Sequence, residues 1–328
     1  MSRDSVIDSL RGFAMIGMIM IHTNAYHLSN PTAAYIWNYL QFVVQVFVFC
    51  SMYLFIKKND FSKFSWVDLG NYYKKYIPKR FLRLVLPYYI FLPFYLLLQS
   101  IITHKLPTTN YVLHSLTLTG GVDINWLVLL FLQLTLLSPL LLFLFQKFHK
   151  IKLVVLSTIL LFALVCTPES IRNSLPNYRY IMWIGWSYFF IQAYMVIHPI
   201  ALSTRKKTFA RAYVAFALLL CILLNLFAHL YAKKYPPDVY FIFYGAILIT
   251  LLYTFFSKVS LPTYIQKLLN FFSVNSYPLF FIHYWILVFV SFYFKLNWYT
   301  FFFVVLSVSA GIQWGYNQVV IKLQKKIN

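Results

Sequence analysis

The chain has 328 residues, of which 61% are hydrophobic, 21% aromatic and 11% charged. A soluble domain carries about 25% charged residues, so too few are present here to cover a wetted surface. The net charge of +21 would suit a nucleic-acid binder by amount alone, but its distribution along the chain fits a membrane protein instead.

Apolar runs of about 20 residues, the length an α-helix needs to cross a hydrocarbon core, recur from end to end. In chain order they predict spans over Val6–His27, Tyr35–Ile56, Leu84–Thr103, Asn125–Phe145 and Leu153–Thr167. Five more follow over Tyr180–His198, Ala210–Tyr231, Val239–Phe256, Ser276–Phe294 and Trp298–Ile321. The expected fold is therefore all-α, a polytopic membrane helical bundle of about ten transmembrane helices. It is expected to form a single integral membrane domain over residues 1–328, without an appended soluble domain. The first run does not read as a cleaved signal peptide, because it contains Arg11 and His22 and precedes nine further spans.

With the N-terminus placed in the cytoplasm, 22 of the 28 Lys and Arg residues fall on the cytoplasmic side. Six (Lys105, Arg172, Arg179, Lys233, Lys234, Lys295) fall outside. The positive-inside rule thus predicts both termini cytoplasmic, with lipids rather than nucleic acid as the partner of the basic residues. Cys50, Cys166 and Cys221 lie far apart within or at the edges of spans, and they read as small apolar packing residues. No metal site is expected.

Polar groups inside a membrane are costly, which makes each one a functional candidate. In the first span Arg11 and His22 are eleven residues apart, three turns plus about 20°, so they share one face some 16 Å apart along the axis. Asp8 lies three residues before Arg11 and is placed to neutralise it. An interfacial Arg that snorkels and a His satisfied by a neighbouring helix is the plain alternative. His283 lies about eight residues into a later span that runs in the same direction, at a depth close to that of His22. Two histidines at similar depth predict a polar cavity, and a structural hydrogen bond is again the alternative.

Lys57–Arg83 is expected as a cytoplasmic loop, and its end holds Arg80 and Arg83 one helical turn apart. Two guanidinium forks facing the same way suit phosphate or pyrophosphate; juxtamembrane basic residues that set topology and touch anionic headgroups are the competing reading. All seven acidic residues lie outside the spans or at their ends. Proton-coupled carriers commonly hold a carboxylate in the membrane interior. Histidine is then the residue left for acid–base chemistry within the bundle.

These residues resemble the membrane-bound acyltransferase-3 family, which includes O-acetyltransferases of bacterial surface polysaccharides. Ile7-Asp8-Ser9-Leu10-Arg11-Gly12 leading to His22 is similar to its Arg-x10-His signature. Phe47-Val48-Phe49-Cys50-Ser51 is similar to its phenylalanine-rich stretch ending in Ser-Gly, although Met52 stands where the family usually has glycine. Arg80-Phe81-Leu82-Arg83 with Leu86-Pro87-Tyr88 resembles its Arg-x-x-Arg segment with trailing Pro-Tyr. Asn125-Trp126-Leu127 with Pro139 and Ser276-Tyr277-Pro278 up to His283 complete the match.

The resemblance implies a multi-pass enzyme of the bacterial cell membrane that transfers an acyl group, most simply acetyl from acetyl-CoA, to a hydroxyl of a cell-surface or exported glycan. It implies His22, Arg11 and His283 as catalytic residues and Arg80 and Arg83 as the acyl-CoA-binding pair. Trp126 and Ser51 are the implied substrate-binding residues, with no metal. Partners implied are the acyl-CoA, the glycan acceptor and other polysaccharide-biosynthesis proteins. A glycan exporter or flippase, or a non-catalytic membrane component, is the alternative from another class. Acetyl-CoA turnover by purified protein supports the enzyme, and glycan translocation without CoA supports the carrier.

Overall fold

The computed structural model describes residues 4–148, 150–175, 177–199, 219, 222–223 and 225–327, with the backbone alone for 325–327. Its α-helices in chain order are α1 (Ser5–Asn24), α2 (Pro31–Tyr39), α3 (Val43–Lys58), α4 (Trp66–Thr103), α5 (Thr109–Leu116), α6 (Asn125–Lys147) and α7 (Ile151–Val165). There follow α8 (Glu169–Ser174), α9 (Trp183–Trp186), α10 (Tyr188–Ile197), α11 (Val239–Lys258), α12 (Thr263–Val274), α13 (Ser276–Tyr293) and α14 (Trp298–Ile327). No strand is found among the described residues, and the protein is an all-α polytopic membrane protein.

Among the described residues seven helical segments are long and apolar enough to cross a membrane. They are Ser5–His27, Pro31–Lys58, Trp66–Thr103, Asn125–Lys147, Tyr178–Ile197, Val239–Lys258 and Ser276–Tyr293, each overlapping an expected span. The remaining three expected spans differ. Leu153–Thr167 is the 15-residue α7, short for a crossing. Trp298–Ile321 lies within the 30-residue α14, whose Gln313, Asn317 and basic tail dilute its apolar character. The expected span Ala210–Tyr231, together with Cys221, falls largely outside the described residues.

Local chemistry accounts for the helix starts. Asp4 caps α1 by accepting from the Ile7 amide at 3.3 Å, and Asn30 caps α2 through the Ala33 amide at 3.1 Å with Pro31 in the first turn. Ser65 and Asp68 form a reciprocal box at the head of α4, each side chain accepting from the other's amide (2.9 and 3.2 Å). Residues 66–83, expected as loop, are thus helical and continuous with the span that follows. At 38 residues, α4 is about 57 Å long, well beyond the ~30 Å hydrocarbon core.

The chain divides into two compact units. The first comprises Met1–Phe47, Pro78–Leu132 and Thr250–Asn328. In it α1, the later part of α4 and α13 run in one direction, while α14 returns. This is read from Tyr277 bonded to Leu84, Tyr95 against Tyr284, Gln313 bonded to Asn275, and Phe301 against Tyr26. Met15, Ile19, Leu279, Ile286, Phe301 and Val305 form its apolar core. Gly12 brings α12 unusually close, because a Cβ there would lie 2.1 Å from the Leu269 carbonyl oxygen. Gly12 is therefore the residue that lets α1 and α12 touch backbone to backbone.

The second unit comprises Val48–Ile77 and Gln133–Ile249. Its core is aromatic, with Trp186 packed edge-on to Phe241 at 5.7 Å and Phe145 to Phe190 at 5.6 Å. At Pro139 in α6 the Tyr73 hydroxyl enters the helix ladder, donating to the Leu136 carbonyl (2.6 Å) and accepting from the Leu140 amide (3.2 Å). It takes the place of the Leu140-to-Leu136 helical bond beside the proline. The buried Arg172 joins Asp238 at 3.2 Å, and Asp238 in turn accepts from the Phe241 amide (2.8 Å) at the start of α11.

Two outcomes test these contacts, both read as the thermal midpoint of purified protein in detergent. Gly12→Val is expected to cost about 3 kcal/mol by overpacking, whereas Gly70→Ala, at an exposed helical position with open space around it, is expected to stabilise by about 0.5–1 kcal/mol. Arg172→Met leaves Asp238 buried without its guanidinium and is expected to cost about 3 kcal/mol. An unchanged midpoint for Gly12→Val or Arg172→Met would contradict the corresponding contact.

Candidate active site

Arg11 and His22, which share a face of the first span, meet one partner helix, α13. Arg11 donates from Nη2 to the Ser276 hydroxyl at 2.8 Å, and His22 Nδ1 meets His283 Nε2 at 2.8 Å with the rings nearly parallel (8°). Ser276 and His283 are seven residues apart, two turns less about 20°, so they share a face of α13 as Arg11 and His22 share a face of α1. The axial separations differ by about 6 Å between the two helices, a gap that the long arginine side chain spans. The result is one polar seam in an apolar interface, with a cation at one end and an imidazole pair deeper in.

The direction of the imidazole bond follows from its neighbour. His283 Nδ1 lies 2.8 Å from the Leu279 carbonyl, which only accepts, so Nδ1 carries the proton. In a neutral ring Nε2 is then the acceptor, and His22 Nδ1–H must be the donor. A neutral His22 so arranged has its lone pair on Nε2, the nitrogen turned from His283. His283 is fully buried and His22 half-buried, with Phe280 and Tyr284 packed against the His22 ring at 6.3 and 5.8 Å. The arrangement supplies an oriented base whose protonated form still donates from Nδ1 to His283 Nε2.

The mouth of the seam near Arg11 is held by several contacts. Asp8, expected beside Arg11, accepts from the Ser273 hydroxyl at 2.8 Å. Asn275, just before α13, is gripped by two carboxamides of α14, Gln313 at 3.2 Å and Asn317 at 3.1 Å. The Tyr277 hydroxyl donates to the Leu84 carbonyl on α4, immediately after Arg83. Adjacent residues of α13 thus contact Arg11 and Leu84, the residue of α4 that follows Arg83. Arg80 is half-buried and Arg83 exposed.

The other expected residues lie elsewhere. Trp126 is half-buried in the first turn of α6, in the first unit, beyond a loop pinned by Asn125 donating to the Gly120 carbonyl. Ser51 belongs to the second unit, on α3. Its neighbour Met52 is buried there, and the Met52 sulfur accepts from the Ser138 hydroxyl at 3.1 Å. Sequence reasoning missed Gln313 and Asn317. They are two amides one turn apart in an expected span, and the rule that picked out His22 reaches them too, more weakly because the helix is less apolar. Among the described residues no group of three or more His, Cys, Asp or Glu side chains is placed to hold a metal ion.

A family whose description reads acyltransferase domain matches residues 4–313, a segment that includes the whole α1–α13 seam. No curated relative and no solved structure matches the chain. The chain belongs to the acyltransferase-3 family and is a multi-pass membrane acyltransferase.

Proposed function

We propose that the protein is an O-acyltransferase of a bacterial plasma membrane that moves an acetyl group from cytoplasmic acetyl-CoA to a hydroxyl of a surface or exported glycan. The observation that carries this reading is the polarity of the His22–His283 pair, which orients the basic nitrogen of His22 away from its partner. Arg11, Arg80 and Arg83 receive the CoA phosphates at the cytoplasmic mouth. His22 lies about 16 Å deeper along α1, within reach of an extended pantetheine arm.

In the reaction His22 Nε2 takes the proton of the acceptor hydroxyl as its oxygen attacks the thioester carbonyl carbon. The imidazolium formed is held by its Nδ1–H bond to neutral His283. Collapse of the tetrahedral intermediate breaks the carbon–sulfur bond, and the proton on His22 passes to the departing thiolate. The products are the acetyl ester and CoA with a free thiol, and His22 is restored. Trp126 offers a face for the sugar, and Ser51 is carried over from the family motif as a substrate-binding residue. The basic mouth and the histidine pair support an enzyme over an exporter, which has no need of an oriented base beside a phosphate-binding turn.

Acetyl transfer is measured with purified, folded protein and labelled acetyl-CoA. His22→Ala is expected to lower the rate about 10³-fold and His283→Phe about 10²-fold. Full transfer by a folded, membrane-inserted His22→Ala variant would remove His22 from the chemistry.

A further inference from the structure

At the end of the first unit away from Arg11, a second set of polar side chains leads to the same histidine. Tyr284 packs edge-on to His22 at 5.8 Å and against Tyr95 at 5.6 Å. The hydroxyl of Tyr95 interacts with those of Tyr284 and Tyr111, and Tyr111 also reaches the Gln99 side chain. The Asp123 carboxylate lies close enough to Tyr26, Tyr111 and Tyr284 to act electrostatically on all three phenols. Gln99 Oε1 is buried with no hydrogen-bond partner. A buried acceptor of this kind is costly unless a ligand or solvent donor meets it. Nothing in the reading of His22 and the arginines uses these groups.

The set is built rigidly. The Tyr88 and Tyr89 hydroxyls of α4 donate to the Ser115 and Leu116 carbonyls of α5 at 2.8 and 2.7 Å. The Ser115 hydroxyl donates to the Tyr111 carbonyl (2.8 Å) and accepts from the Val122 amide (3.1 Å). Gly121 has φ +72°, and a Cβ there would lie 2.0 Å from Ser115 Oγ, so only glycine lets the loop close on α5. Tyr111 and Asp123 are therefore fixed together at one end of the row. Burial raises the Tyr111 phenol above its usual range, which keeps it a hydrogen-bond donor.

We propose that Tyr284, Tyr95, Tyr111, Gln99 and Asp123 form the acceptor subsite, binding a neutral or amino sugar and presenting its hydroxyl to His22. This rests on the transfer reading above and adds the class of acceptor to it. The half-buried Tyr111 and Tyr284 rings offer flat faces that match the C–H face of a pyranose. Phenol oxygens, a carboxamide oxygen and a carboxylate match its hydroxyl donors. The carboxylate repels a phosphodiester backbone, so a poly(polyol phosphate) acceptor is disfavoured. Donor and acceptor then reach His22 from opposite ends of one unit, basic at one end and phenolic and acidic at the other.

The test measures binding, separately from catalysis. The probes are oligosaccharides cut from the producing cells' surface glycan after mild alkaline removal of O-acetyl groups, and synthetic polyglycerol phosphate. Binding to the full-length protein in detergent is read by saturation-transfer NMR and titration. Asp123→Asn and Tyr95→Phe are each expected to weaken oligosaccharide binding about tenfold while CoA binding is unchanged. Polyglycerol phosphate is expected to bind wild type at least tenfold more weakly than the oligosaccharide. Wild-type affinity in both variants, no oligosaccharide binding by wild type, or tighter binding of polyglycerol phosphate would each overturn the proposal. Oligosaccharide binding that both variants weaken, in a protein that transfers no acetyl group, would uphold the subsite and refute the transfer reading instead.

Discussion

The Leu279 carbonyl accepts the proton of His283 Nδ1, and the direction of the His22–His283 hydrogen bond follows from that fact. A backbone oxygen cannot donate, so His283 offers a lone pair to His22, and the lone pair of His22 lies on its other nitrogen, turned from His283. A carboxylate is the usual partner for such a base. In an apolar bundle a neutral imidazole does the same orienting work without burying a second charge. The ring pair also fixes how α1 and α13 sit together, since a polar group at that depth must be met by another or left unsatisfied.

Around this pair the first unit is polarised along its length. One end gathers Arg11, Ser276 and the Arg80–Arg83 turn, tied through Tyr277 and braced by the carboxamides of Asn275, Gln313 and Asn317. The other end gathers phenols and the Asp123 loop. The two ends therefore differ in chemistry, basic at one and phenolic and acidic at the other. The second unit is built differently, on stacked aromatics, a hydroxyl inserted beside Pro139 and the buried Arg172–Asp238 pair. Met52 and Ser138 are joined there, so the side chain that replaces the family's usual glycine fills space within that unit.

Much of this was legible beforehand. Seven of the expected spans coincide with helices able to cross a membrane, because a run of apolar residues in a membrane has no alternative to a helix. Residues 66–83 were harder. Their charges read as loop, but a Ser65–Asp68 box starts a helix that needs no apolar face to continue. Arg11, His22 and His283 stood out because polar groups are rare at such positions. Gln313 and Asn317 passed unnoticed, since amides in a late, less apolar helix carry a weaker signal.

The sequence by itself determined the helical, membrane-spanning class and the helical faces of Arg11 and His22, since both rest on local rules of hydropathy and 100° periodicity. The family too was recognisable from motifs in order. Only the tertiary structure decided which residue answers which. Arg11 Nη2 donates to Ser276, Leu279 sets the imidazole tautomer, and Tyr284 packs between Tyr95 and the His22 ring. Those pairings join residues up to 265 positions apart. They depend on how closely α1, α12 and α13 approach, a distance that Gly12 permits and that no local pattern encodes.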